Sequence, residues 1–299
     1  MKYGFVKTAA VVPQTEVGDC NANAKNIISA AGEAVEKGAE LILCPELCMT
    51  SSTCGDLFVQ PYFIGLCENA VKKVIQSTTE HNAIVVIGAP ILFMNAVYNC
   101  SIVIHHGKLA GIVAKSILCN MNGNDESRHF SSGSSIPAGS RIVYASLETT
   151  IGTGLIFRTE TYTFGIEIGS ESQAPLSPGA ELAVAGAEII LCPSAMSEYT
   201  GWNAIIRQDI TSQSRRMKCG YAFANSGWGE STSKASYSGY ASVAECGEIV
   251  TEAELFLQRS HMAVSEIDTD RIRKARISDT SFGKPCSSPY IYRTGSKRR

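Results

Sequence analysis

A chain of 299 residues is long enough for one large domain with a substantial buried core. Lys and Arg number 26 against 28 Asp and Glu, a net charge of −2 with His neutral, which supplies no overall field toward nucleic acid or an acidic membrane surface. With 44% hydrophobic and only 18% charged residues, disorder is excluded and a thick interior is expected, together with subunit faces that are also buried.

The apolar run at residues 3–12 reads as a strand. Residues 22–37 place Ile27, Ile28, Ala31, Ala34 and Val35 on one helical stripe that Gly38 stops. A short buried strand at 41–44 and a second helix at 63–78 follow, then at 83–87 a continuous apolar strand of the kind covered on both faces. Residues 98–104 and 109–114 flank His105-His106-Gly107-Lys108, which has the composition of a hairpin turn. Residues 120–140 are polar and loop-like. Strands resume at 162–168, 188–192 and 220–226, separated by helical segments near Leu182 and over 203–218. Strands at 237–244, 248–250 and 262–267 and a short helix from Thr269 complete the series.

Elements interleaved this densely, with no repeat and no linker before Gly283, predict one layered α/β domain over residues 1–283. Residues 284–299 are rich in Ser, Pro and basic side chains and read as a frayed tail, with Lys297-Arg298-Arg299 a solvated run. The eleven cysteines are odd in number, contain no Cys-x-x-Cys pair and have no metal-type partnering by the five histidines, so neither a disulfide framework nor a metal site is expected. No signal-peptide order opens the chain and no apolar run approaches the roughly 20 residues that span a bilayer, so no membrane association and a reducing cytoplasm are expected.

In layered α/β folds, reactive groups gather at the carboxyl ends of strands. Three places qualify. Pro45-Glu46 closes the strand at 41–44, although a carboxylate there is more often an ordinary solvated loop residue or helix cap. Lys115 ends the strand at 109–114, where a lysine most often faces solvent. Gly165 through Glu171 runs strand, small residue, helix start, the shape of a nucleophile elbow.

Taken together, these segments resemble the nitrilase, or carbon-nitrogen hydrolase, superfamily, and most closely the glutaminase domain of bacterial glutamine-dependent NAD synthetase. Residues 1–7, Pro45-Glu46-Leu47-Cys48, Cys54-Gly55-Asp56-Leu57-Phe58, Tyr98-Asn99-Cys100, Gly111 through Ser116, Glu126 through Phe130, Phe164 through Ile168 and Gly229-Glu230-Ser231-Thr232 carry the resemblance, which spans nearly the whole chain. It implies a four-layer α-β-β-α sandwich that assembles into homo-oligomers, with no cofactor. It also implies a chemistry in which a cysteine thiolate attacks an amide such as that of glutamine, a glutamate moves the proton and a lysine holds the oxyanion. Matched position by position, Glu46 falls on the general base, Lys115 on the oxyanion lysine and Glu126 on a second carboxylate that positions lysine and substrate.

The nucleophile position departs from the family. Where the family reads Glu-Ile-Cys-Glu-Asp-Leu-Trp, this chain has Glu167-Ile168-Gly169-Ser170-Glu171-Ser172-Gln173, with Gly169 in place of the cysteine. At positions that would hold the substrate, Met121 stands for a tyrosine, Met196 for a serine and Trp202 for a lysine, and Ser51-Ser52 replaces Gly-Tyr. Two readings follow. One is a pseudoenzyme that regulates or co-assembles with a NAD synthetase, or binds a small molecule in a reshaped pocket. The other is an amidase or glutaminase whose nucleophile has moved to Ser170 or Cys192. The synthetase half implied by the family has no counterpart here, so synthesis of NAD by this chain alone is not expected.

Overall fold

The structure, a computed structural model, describes residues 4–120, 125–233, 235–283 and 291–294. Its elements in chain order are β1 (Phe5–Val12), α1 (Cys20–Glu36), β2 (Leu41–Leu43), α2 (Pro61–Ser77), β3 (Ile84–Phe93), β4 (Ala96–His105), β5 (Lys108–Ala114), β6 (Arg141–Tyr144), β7 (Leu147–Gly152), β8 (Leu155–Arg158) and β9 (Thr163–Ile166). They continue with α3 (Pro178–Val184), β10 (Ile189–Ser194), α4 (Trp202–Met217), β11 (Gly220–Asn225), β12 (Ala241–Glu245), β13 (Glu248–Glu252), β14 (His261–Asp268), α5 (Thr269–Ile277) and β15 (Ile291–Thr294).

The strands form an eight-stranded sheet in the order β14-β1-β2-β3-β4-β5-β7-β6 and a seven-stranded sheet in the order β13-β12-β11-β10-β9-β8-β15. Period-two alternation sorts their side chains. In β2, Leu41 and Leu43 face the second sheet's Phe164, Ile166, Ile189 and Leu191, whereas Ile42 joins Ala24, Ile27 and Ala34 of α1 and Val71 and Val74 of α2. On the far side, Ile190, Cys192, Tyr221 and Phe223 meet Leu182 of α3 and Ile206, Ile210 and Met217 of α4. Helices, sheet, sheet and helices therefore stack as the four-layer sandwich that the resemblance implies. Strands buried on both faces explain why 83–87 reads as an unbroken apolar run.

Local chemistry accounts for the boundaries that differ from expectation. The first helix starts at Cys20, two residues before the expected start at 22, because the Asp19 carboxylate accepts hydrogen bonds from the Asn21 and Ala22 N–H groups at 3.0 and 2.9 Å, a cap worth about 1 kcal/mol. The strand at 83–87 runs on to Phe93, where a tight hairpin at Met94-Asn95, with φ values of 46° and 63°, turns it into β4. The strands β6 to β8 are not anticipated by the sequence reading. Arg141 and Val143 of β6 face outward, and the turn to β7 is Ala145-Ser146, with φ of 53° and 67° but without the Gly or Asn that usually marks such a turn. A further correction concerns the end of the chain. Instead of fraying throughout 284–299, Ile291–Thr294 pairs in parallel with β8 as an edge strand; Lys297-Arg298-Arg299 lies outside the described residues.

No helix is long and apolar enough to cross a membrane among the described residues. The ten described cysteines are all free.

Candidate active site

The carboxyl ends of β2, β5 and β9 meet at one mouth of the sandwich. Pro45-Glu46 leaves β2 pressed against β3, and a Cβ at Gly88 would overlap the backbone of Pro45, Glu46 and Leu47, so β3 needs glycine there. Glu46 is 3% exposed. Its Oε1 accepts hydrogen bonds from Asn99 Nδ2 at 2.6 Å and Lys115 Nζ at 2.7 Å, and its Oε2 accepts one from the Ala195 N–H at 3.0 Å. Lys115, 1% exposed at the end of β5, also donates to Glu126 Oε1 at 2.6 Å. Glu126 opens a single helical turn at 126–128, and its Oε2 accepts from the Cys119 N–H at 2.9 Å.

Two carboxyl groups and one amine thus share a largely buried site. Burial by itself would push the lysine down, but the charges of Glu46 and Glu126 outweigh it and hold the Lys115 ammonium well above its ordinary value. Burial also pushes the Glu126 carboxyl up, against the pull of Lys115 and with the charge of Glu46 adding to the rise. Glu126 therefore takes up a proton at a higher pH than an ordinary glutamate does.

After β9 the backbone passes Glu167 and Ile168, turns left-handed at Gly169 with φ of 57°, and enters a helical turn at 169–173. That is the geometry of a nucleophile elbow. Glu171 clamps it. Its carboxylate accepts from the Ile168 N–H at 2.6 Å and from the Ser116 N–H, Ser116 hydroxyl and Ile117 N–H at 2.6, 2.5 and 3.0 Å, binding the elbow to the segment that follows Lys115. A Cβ on Gly169 would lie 3.3 Å from Lys115 Nζ and closer to Glu46 Oε2 than real contacts allow. The structure therefore brings Glu46, Lys115, Glu126 and Gly169 together. Glu46 also occupies part of the room that a larger residue at position 169 would need.

A cavity of about 380 Å³ opens over this cluster, walled by Glu46, Glu126, Ser52, Thr53, Asp56, Arg128, His129, Ala195, Ser231 and Tyr237 among others. Met196 and Trp202 do not line it. Met196 packs between the second sheet and α4, its N–H and carbonyl both bonded to the Asn225 side chain. Trp202 stacks on Tyr199 at 4.7 Å where α4 begins. Met121 lies outside the described residues.

The two candidate relocated nucleophiles differ. Cys192 is fully buried, its Sγ 3.8 Å from the Gly169 carbonyl oxygen, and burial and the charge of Glu167 push its thiol up, the reverse of an activated cysteine. The Ser170 hydroxyl is buried and has no hydrogen-bond partner among the described residues, so it has no base.

The sequence reading assigns no contact to Asn99, the Ala195 N–H or Glu230, although Asn99 and Glu230 stand in segments that carry the resemblance. A buried amide inside the apolar strand β4 must find a partner, and that is a usable signal for Asn99. Glu230 accepts from the Ser51 hydroxyl (2.5 Å), the Ser52 N–H (2.9 Å), and the Thr53 N–H and hydroxyl (3.1 and 2.7 Å), holding the loop after Glu46 with Ser51 at a φ of 77°.

The sequence profile of the carbon-nitrogen hydrolases matches residues 7–277. The chain belongs to the carbon-nitrogen hydrolase family. It is 28% identical over 284 residues to the glutamine-dependent NAD(+) synthetase of Mycobacterium tuberculosis, across 94% of this chain and 42% of that protein. A glutamine-dependent NAD(+) synthetase from Cytophaga hutchinsonii superposes with a TM-score of 0.76 at 23% identity, over 89% of this chain and 43% of that one. A nitrilase-superfamily protein of Saccharomyces cerevisiae superposes with a TM-score of 0.71 at 20% identity, over 92% and 94% of the two chains. This family member thus spans less than half the length of the synthetases it matches, and nearly the full length of the yeast protein.

Proposed function

We propose that this chain is a carbon-nitrogen hydrolase homologue without a covalent nucleophile, catalytically silent or severely impaired, with a ligand-binding, scaffold or regulatory role. The single observation that carries this reading is the position of Gly169, which faces Glu46 and Lys115 with no side chain of its own. In the mechanism the family implies, Glu46 is the general base, Lys115 the oxyanion donor and Glu126 the group that positions the lysine. Glycine offers no atom to form a thioester. Loss of a covalent nucleophile typically costs about 10⁴ to 10⁶ in rate, and leftover oxyanion stabilisation returns only about 10² to 10³.

The similarity to NAD synthetases supports a role beside such an enzyme, as a co-assembling or regulatory subunit. A homo-oligomer in the cytoplasm, with a glutamine-like amide as the ancestral ligand, completes the proposal. A second reading, an active amidase, rests on the unpartnered Ser170 hydroxyl next to Gly169; the buried thiol of Cys192 speaks against the other relocated candidate.

Ammonia release from glutamine and a panel of amides tests the proposal, run on the native chain beside Gly169→Cys. Turnover of the native chain at the rate of an ordinary glutaminase overturns it. Co-purification with a NAD synthetase at micromolar concentration tests the scaffold role, and its absence removes that part.

A further inference from the structure

We propose that a second cavity beside the candidate active site is a binding site for a small organic ammonium ion. Its volume is about 370 Å³, and Trp228, Tyr237 and Phe256 line it together with Glu230, Gln258 and Thr232. Tyr237 also lines the first cavity, so one ring separates the two spaces.

Two independent features point to a cationic ligand. The first is a carboxylate with no cationic partner among the described residues. Glu230 is 8% exposed, and its hydrogen-bond donors are two hydroxyls and two backbone amides, all neutral. Among the described residues no cation lies within ion-pairing distance of it, and it is the only charged residue lining this cavity. A buried carboxylate held only by neutral dipoles favours a cation nearby.

The second feature is aromatic. Three aromatic side chains line one small space, and among the described residues none of them contacts another ring or a protein cation. An organic ammonium is the ligand class that aromatic faces attract while a carboxylate supplies the counter-charge. The rings are also held in place at a cost. Phe256 is 58% exposed and sits at a φ of 59°, rare for a bulky residue, with its N–H donating to the Ser238 carbonyl at 2.7 Å. The Trp228 carbonyl accepts from the Thr15 N–H at 3.2 Å, and the next residue, Gly229, turns at a φ of 104° against the Thr15 backbone, where any Cβ would overlap.

This inference does not depend on whether Gly169 has abolished catalysis, and its test needs no turnover. Trp228 is one of two tryptophans and is 48% exposed, so tryptophan fluorescence of the full chain reports on the cavity. Choline is the probe, and 3,3-dimethylbutanol is its neutral isostere. The expected result is saturable quenching by choline, with the isostere roughly tenfold weaker or absent. Glu230→Gln is expected to remove the preference for the charged probe. Phe256→Gly relieves the backbone strain, so it folds at least as well as the native chain, and it is expected to weaken choline binding roughly tenfold. No saturable response, equal binding of choline and its isostere, or unchanged binding in Phe256→Gly would each overturn the proposal.

Discussion

The two sheets end at the same mouth yet have fared differently there. The eight-stranded sheet delivers Glu46 and Lys115 from β2 and β5, with Asn99 of β4 beneath them, and every heteroatom of the two charged side chains has a partner. The seven-stranded sheet delivers the elbow, where the backbone turns left-handed at Gly169, a residue that brings no side chain to the mouth. The difference teaches that the charged cluster does not need the elbow's side chain in order to persist. Glu46, Lys115 and Glu126 satisfy one another, so the cluster has a structural reason to stand whatever chemistry passes over it.

The comparison breaks most readily at Lys115. Lys115→Met leaves two buried carboxylates facing each other without their cation, and a loss of about 3–5 kcal/mol in denaturant unfolding is expected. A loss below about 1 kcal/mol would mean that the cluster is held by its surroundings and not by its charges. Gly169→Ala sharpens the elbow side. It forces a Cβ into a left-handed conformation and against Glu46, at an expected cost of about 1–3 kcal/mol. Combined with Glu46→Ala, that cost should shrink toward the backbone contribution alone, and simple additivity in the double-mutant cycle would show that the two positions do not touch.

A smaller effect concerns Glu167, fully buried just before the elbow. Burial pushes its carboxyl up, while the Tyr221 hydroxyl and the Gly179 N–H, donating at 2.7 and 2.9 Å, pull the other way. Its folded value therefore lies above its unfolded value of about 4.3. The folded state keeps a proton that the unfolded state has released, so this group's contribution is complete below that pH and falls as pH rises through the folded value. Glu167→Gln should flatten that decline in a series of unfolding curves across the acidic to neutral range. An unchanged slope would show that Glu167 ionises normally. Smallest of all, Arg128→Ala removes a bidentate but exposed pair with Asp56 at the cavity rim and should leave the melting temperature unchanged.

Much of this was legible in the residues. The alternation of strand and helix, the burial of strands on both faces and the strand-small residue-helix shape at 165–171 all have local signatures. The convergence of Glu46, Lys115 and Gly169 does not, because they lie on two sheets and 123 positions apart at the extremes (169 − 46); only the family resemblance placed them together. What escaped has physical reasons. The strands β6 to β8 are short, and their hairpin uses Ala145-Ser146 at positive φ where Gly or Asn would have announced it. Met196 and Trp202 occupy positions that suggest a pocket, but their side chains pack on the far side of the second sheet or at the start of α4. Glu230 lies in a segment that carries the resemblance, yet its work, holding residues 51–53 from far along the chain, depends on tertiary structure alone.

The most direct test of the central claim is acid-quenched mass spectrometry of the native chain during incubation with glutamine. The account predicts an unmodified mass throughout. A glutamyl adduct mapped to Ser170, Cys192 or any other residue bordering Glu46 would contradict it.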